Sequence, residues 1–435
     1  MNQATSTNCI FSISNFTDVK DKVLNWANQF GTFCFLDNHE FMMKPHAEEC
    51  VLAAGIKNFI QADAGHALDQ LQAFIDADKK WFFGHLGYDL KNEMGSASSS
   101  HPDQVNFPDL FFFQPQIILR FDKDHMTIES EMDEEKIFHE ILDVKNSVED
   151  SSEPGPLVIH NRVEKEEYIS IIKKLQQHIL RGDCYEINFC QEFFSPNVTI
   201  DPLLVYKKLS AVSPNPFSAF YKIEDKYLVC ASPERFLAKR GSSIISQPIK
   251  GTSKRIQDKV EDEISRNELH QSSKDRSENV MVVDLMRNDL SKICVEGSVK
   301  VDKLYGVYSF PQVHQMISTI SGELKDGISF TEIVRSTFPM GSMTGAPKKR
   351  VMELIEQYEK TRRGIFSGAV GYINPDGDFD FNVVIRSVMY NKSNKYLSFQ
   401  TGSGITFYSD AELEWEECLL KAEAIRNVLE SRNMI

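Results

Sequence analysis

The chain has 435 residues, 41% hydrophobic and 26% charged, with 22 glycines and 16 prolines; this is ordinary globular usage and excludes a collagen-like, low-complexity or wholly disordered chain. With 48 Lys and Arg against 63 Asp and Glu the net charge is −15, which argues against a nucleic-acid binder, since such a protein displaces counterions with a dense basic surface. Eight cysteines form no CxxC pair, so a disulfide scaffold or zinc site is not expected and reduced thiols in the cytoplasm are.

The first residues carry no basic stretch followed by an apolar one, so no signal peptide is read there. No apolar run approaches the roughly 20 residues that span a bilayer. Apolar runs at 32–36, 81–83 and 110–113 predict strands, and the patterns at 19–29 and 67–77 predict helices. Their irregular mixture favours an α+β fold over a doubly wound one. Two stretches read as breaks: 92–108, rich in Ser, Gly and Pro, and 146–156, acidic and punctuated by Pro and Gly, the better linker. They divide the chain into an N-terminal region, 1–150, and a second domain, 160–430.

In the second domain Tyr168, Ile171, Ile172, Leu175 and Ile179 follow helical spacing, with Gly182 placed for a left-handed cap. Asp201 and Pro202 read as an N-cap and first helical residue, opening a helix to about Ala211. Short strands alternate with turns through 217–249, and an acidic helix follows near 258–283. Pro347 opens another helix to about Glu359 behind a turn at Thr344 and Gly345. Strands at 368–373, 381–389 and 396–402 precede a final helix over 410–429. There is no internal repeat.

Several residues stand out for their chemistry. The run GSMTGAPKKR, 341–350, fails the phosphate-loop template in glycine spacing and lacks Ser or Thr after the lysine; a tight turn into a helix N-terminus is expected instead. Asp275 with Glu278, and Glu414 with Glu417, are acidic pairs at i, i+3, which puts each pair on one helix face. Such pairs suit a solvated stripe or the hard oxygen donors of a Mg²⁺ site. Gly402, Ser403 and Gly404 close a strand either as a bend or as bare backbone that a carboxylate can approach. Arg386 is unusual inside the apolar run FNVVIRSV. Lys250, in QPIKGT, is either a surface lysine or a partly desolvated nucleophile. The histidines form no HExxH and no close cluster.

Taken together, nine segments in order resemble the chorismate-utilising enzymes: GDCYEINF at 182–189, SPERF at 232–236, PIKGT at 248–252, ENVMVVDLMRNDL at 278–290, GSMTGAPK at 341–348, GAVGYI at 368–373, IRS at 385–387, GSGIT at 402–406 and EWEECLLKA at 414–422. They cover about 163–429, and the first ~150 residues match only loosely. The resemblance implies a layered αββα sandwich of two interlocked subdomains around a central cleft. It implies Mg²⁺ on Glu278 and Glu417, backed by Asp275 and Glu414. It also implies that Tyr372, Arg386, the backbone of Gly402, Ser403 and Gly404, and Lys421 hold the substrate carboxylates, with Thr252 in the same pocket.

Within that family, lysine at position 250 is typical of the branch that makes 4-amino-4-deoxychorismate for p-aminobenzoate and folate, and alanine of the anthranilate- and isochorismate-forming branches. The implied chemistry is attack by Lys250 at C2, protonation of the departing C4 hydroxyl by Glu234, and addition of ammonia at C4. A downward shift of the Lys250 ammonium is expected once substrate closes the cleft. Ammonia is expected from a separate glutamine amidotransferase subunit, since no glutaminase Cys/His arrangement is visible. Anthranilate formation is the alternative. Glu186 stands where isochorismate- and salicylate-forming members carry a water-activating lysine, which argues against water as nucleophile. Two departures are noted. Gln315 occupies the place of a family histidine, with His314 one residue early and turned to the opposite strand face. The tryptophan pocket of relatives is matched at 215–218 but not at 35–38, so feedback inhibition is not expected.

Overall fold

In the strand Thr32–Asp37, Phe33 and Phe35 enter one apolar core while Cys34 and Leu36 enter another. A strand buried on both faces reads as an unbroken apolar run, and this one marks a sheet sandwiched between two layers. The computed structural model describes residues 9–41, 50–95, 98–144, 157–311 and 313–430; the linker expected at 146–156 lies outside them.

The first sheet runs, in spatial order, through Cys50–Ala62, Thr32–Asp37, Phe217–Ile223, Lys226–Ser232, Ser387–Asn391, Tyr396–Ile405 and Glu186–Ser195, all antiparallel. The second runs through Phe82–Leu86, Ala369–Ile373, Phe379–Asn382, Arg235–Arg240, Ser243–Gln247 and Val313–Glu323, which carries both Ile249–Lys254 and Lys300–Ser309. The long strand Leu110–Phe121 joins them, pairing with Cys50–Ala62 along one edge and with Phe82–Leu86 on the other. Helices Phe16–Ala27, Lys165–Leu180, Pro202–Val212 and Ala411–Glu430 cover the first sheet's outer core. Helices Ala67–Asp76, Ser273–Ile293 and Phe330–Thr337 contribute to the other. The architecture is α+β, an αββα sandwich, as expected. Strands from before residue 150 pair with strands from after 160 in both sheets.

Three elements differ from the sequence reading. The acidic helix is two helices, Lys259–Gln271 and Ser273–Ile293, broken where the Ser272 side chain accepts a hydrogen bond from the Asp275 backbone N–H at 3.2 Å. A serine N-cap is worth about 1 kcal/mol, enough to fix the break. The strand expected over 381–389 is Phe379–Asn382 and Ser387–Asn391, because the chain crosses between sheets at 383–386. The strand begun at Tyr396 runs on to Ile405. Among the described residues all eight cysteines are free thiols, and no helix is long and apolar enough to cross a membrane.

Candidate active site

Two crossovers between the sheets lie side by side. The Val383 N–H donates to the Glu234 carbonyl at 3.0 Å, and the Ala231 N–H to the Arg386 carbonyl at 3.2 Å. Arg235 anchors the first crossover: fully buried, it forks onto Asp380 with two 3.0 Å bonds and donates to Gln247 at 2.7 Å. The preceding residue, Glu234, is thereby held inside, 4% exposed. Burial pushes its carboxyl up to about 7, against the pull of Ser342, Lys250 and the Ile249 N–H. A carboxyl with that value is an acid able to give up a proton near neutral pH.

Lys250 lies on the second sheet and Glu186 on the first, yet the Lys250 ammonium donates to Glu186 Oε1 at 2.5 Å. Their side chains are 10% and 2% exposed. Lys250 is therefore a buried lysine and not a surface one. Burial alone would lower its ammonium, but Glu186, Glu278 and Glu234 outweigh it and hold the group above the ordinary lysine range. This is the free chain, whereas the downward shift is expected for the site closed on substrate; the acid partner on the other sheet, 64 residues away, is not visible in the sequence. Gly404 makes the contact possible: a Cβ there would stand 2.8 Å from Glu186 Oε1 and 2.9 Å from Lys250 Nζ. A second glycine, Gly251 at φ +93°, brings the strand against Asp275, whose Oδ1 would be 2.9 Å from an added Cβ.

Buried Arg363 braces the walls. It forks onto Glu359 at 2.6 and 3.0 Å and donates to the carbonyls of Met343 and Asn188 at 2.6 and 2.9 Å, tying the turn that carries Ser342 to the strand that carries Glu186. The turn at 344–346 leads into the helix Lys348–Tyr358, as the sequence reading expected. Gly345 and Ala346 pair with Ile187 and Glu186, and Lys348 donates to Asp289 at 2.6 Å.

The four acids proposed for a cation come from helices on opposite sheets, Asp275 and Glu278 from Ser273–Ile293 and Glu414 and Glu417 from Ala411–Glu430. The Lys274 ammonium stands among them, 3.5 Å from Glu414 and 4.0 Å from Glu278, and Glu278 Oε1 is buried without a hydrogen bond. Burial raises Glu278 to about 7, while Lys421 holds Glu417 below its ordinary value. This is a hard-oxygen donor set already gathered round a positive charge, which fits Mg²⁺ in chemistry. No three of these carboxylates bring oxygens within 4.8 Å of one another; among the described residues only exposed Asp122, Asp124 and His125 do, on a hairpin turn.

Other expected residues fall into place unequally. Arg386, at φ +49°, is half-buried, and its guanidinium has no carboxylate partner among the described residues; burial lowers it to about 10. It belongs to a crossover, which explains a charge amid an apolar run. Lys421 donates to the Gly402 carbonyl and to Glu417, both at 2.8 Å. Ser403 is buried between the two glycines in the strand paired with Glu186–Ser195.

Tyr372 is placed elsewhere: its ring packs on Trp81 and Phe83, its hydroxyl accepts from Arg240 at 3.1 Å, and it lines a cavity with Leu36, Asn38, Phe217 and Asp380. That cavity shares no lining residue with the Lys250 cluster. Thr252 is exposed, opposite Gln315. His314 is tied away by Ser309 at 2.8 Å and Asp262 at 3.1 Å, whereas Gln315 is buried with both amide atoms unpartnered. The Glu186 pairing and the Lys274 bridge were not read from the sequence, because Glu186, four residues after Gly182 in GDCYEINF, carries no local signal of a partner 64 residues away.

With the geometry in place, residues 31–427 match the chorismate binding enzymes, and the chain belongs to that family. Aminodeoxychorismate synthase component 1 of Salmonella typhimurium is 39% identical over 265 residues, covering 61% of this chain and 58% of that protein; the chain thus spans little more than half the length of that relative. An anthranilate synthase component I-like protein of Synechocystis is 31% identical over 354 residues, 80% of this chain and 72% of that one. The crystal structure of anthranilate synthase component I from Streptococcus pneumoniae shares the fold, with a TM-score of 0.75 at 24% identity over 89% of this chain and 94% of that one.

Proposed function

We propose that this chain replaces the C4 hydroxyl of chorismate with an amino group, giving 4-amino-4-deoxychorismate, and does so in the cytoplasm with ammonia from a glutamine amidotransferase partner. The observation that carries the reading is Lys250: a buried amine beside Glu186 and Glu234, at the meeting of the two sheets. Arg386, Lys421 and the strand backbone at Gly402 and Gly404 offer positive charge and N–H groups to a substrate with two carboxylates. Glu278 and Glu417, with Asp275 and Glu414 behind them, would hold Mg²⁺, which would supply charge to offset the ring carboxylate. Lys250 attacks C2 as Glu234 protonates the leaving hydroxyl; ammonia then adds at C4 and expels the lysine. The Synechocystis likeness keeps anthranilate formation as the second reading, in which ammonia itself would add at C2, the carbon that Lys250 attacks in the first.

The test is product identification by mass spectrometry from chorismate, Mg²⁺ and ammonium. 4-Amino-4-deoxychorismate is expected; anthranilate would overturn the reading. Purified alone, the chain is expected to use ammonium and not glutamine, and glutamine-dependent turnover without an added subunit would refute the partner. Because Glu234 is protonated below about pH 7, kcat/KM at constant free ammonia is expected to fall towards tenfold per pH unit above that value. A profile flat to pH 9 would remove Glu234 as the acid.

A further inference from the structure

Lys250 must lose a proton before it can attack, and something must receive it. On the reading of Lys250 as the attacking amine, we infer that Glu186 is the catalytic base that takes this proton and later returns it. Four observations place it there. Its Oε1 is 2.5 Å from Lys250 Nζ, so transfer needs no rearrangement. Its carboxylate is buried, with Oε2 unpartnered, so no other donor competes for the charge. Gly404 leaves no Cβ that would force the two groups apart. The other candidates are spent: Glu234 has to start protonated to serve as the acid, Glu278 faces the Lys274 cation, and Gln315, on the strand paired with that of Lys250, is an amide.

The cycle balances. The ammonium proton passes from Lys250 to Glu186, the neutral amine forms the bond to C2, the ring double bonds shift, and the C4–O bond breaks as water carrying the Glu234 proton. Ammonia then forms the bond to C4, the double bonds shift back, and the C2–N bond breaks with its electron pair on Lys250. The surplus ammonia proton restores Glu234, and Glu186 returns its proton to Lys250.

The test uses the full chain with chorismate and Mg²⁺, without ammonia, and follows a covalent adduct on Lys250 by intact-protein mass spectrometry. Glu186→Gln keeps the volume and a carbonyl oxygen that can still accept the lysine hydrogen bond, but it cannot hold the proton. Adduct formation is expected to slow by on the order of 10²-fold or more, with Tm unchanged. A residue that merely positions Lys250 would leave that rate near wild type, and such a result would overturn the assignment. In Glu186→Ala, added formate is expected to restore part of the rate in proportion to its concentration; loss without any rescue counts against a proton-transfer role. If the wild type makes the amino product yet never carries an adduct, the assignment falls while the amination reading stands. If the wild type consumes no chorismate, it is the amination reading that fails.

Discussion

Lys250→Ala is expected to lower ammonia-dependent amination by on the order of 10³-fold or more, leaving at most a slow direct addition of ammonia. At its ordinary pKa a lysine is only about 0.04% neutral at pH 7, and in the free chain the acids around Lys250 hold the ammonium more firmly still. On the proposed mechanism the nucleophile therefore has to be generated within the complex, by proton loss to Glu186. Lys250→Arg is expected to fare no better, because guanidinium stays charged and does not attack. Intact mass after a chorismate pulse should show an adduct on the wild type alone, and digestion should place it on the peptide containing Lys250. Amination by Lys250→Ala at the wild-type rate would exclude covalent catalysis and favour direct addition.

Glu278→Gln and Glu417→Gln form the second large effect. Each preserves volume and removes one anionic oxygen from the cluster around Lys274. Turnover dependent on Mg²⁺ is expected to fall by on the order of 10²-fold in each, because a neutral amide is a poor ligand for a hard cation. Tm should stay near wild type, since Glu278 Oε1 has no hydrogen bond to lose. Titration calorimetry with Mg²⁺ should show weakened binding in both variants. Unchanged metal dependence in either would move the cation site elsewhere. The neighbouring Lys274→Ala provides a contrast: it removes the competing ammonium, so Mg²⁺ should bind it at least as tightly.

Local signals carried a large part of the fold. Helices at Lys165–Leu180, Pro202–Val212 and Ala411–Glu430 were readable because each shows apolar periodicity or a cap within a few residues. Gly182 does take up a left-handed conformation, φ +83°. What misled was long-range. The run at 381–389 looks like one strand in sequence, but the chain leaves one sheet and joins the other at Arg386; nothing local distinguishes a buried strand from a buried crossover. The helix break at Ser272 was local and readable, a serine N-cap hidden inside an acidic stretch.

By itself, the sequence determined the family, through nine motifs in order, together with the residue types that the proposed chemistry uses: a lysine in PIKGT, a glutamate in SPERF and two acidic pairs at helical spacing. Only the tertiary structure decided which of them meet. Lys250 and Glu186 come from different sheets and touch because Gly404 leaves room between them. Tyr372 faces Trp81 and Arg240, in a cavity that shares none of its lining with the Lys250 cluster. The reason is physical: residue identity and local spacing set which groups are available and which face of an element they occupy, while protonation depends on burial and on charges brought close by folding, which sequence distance does not encode.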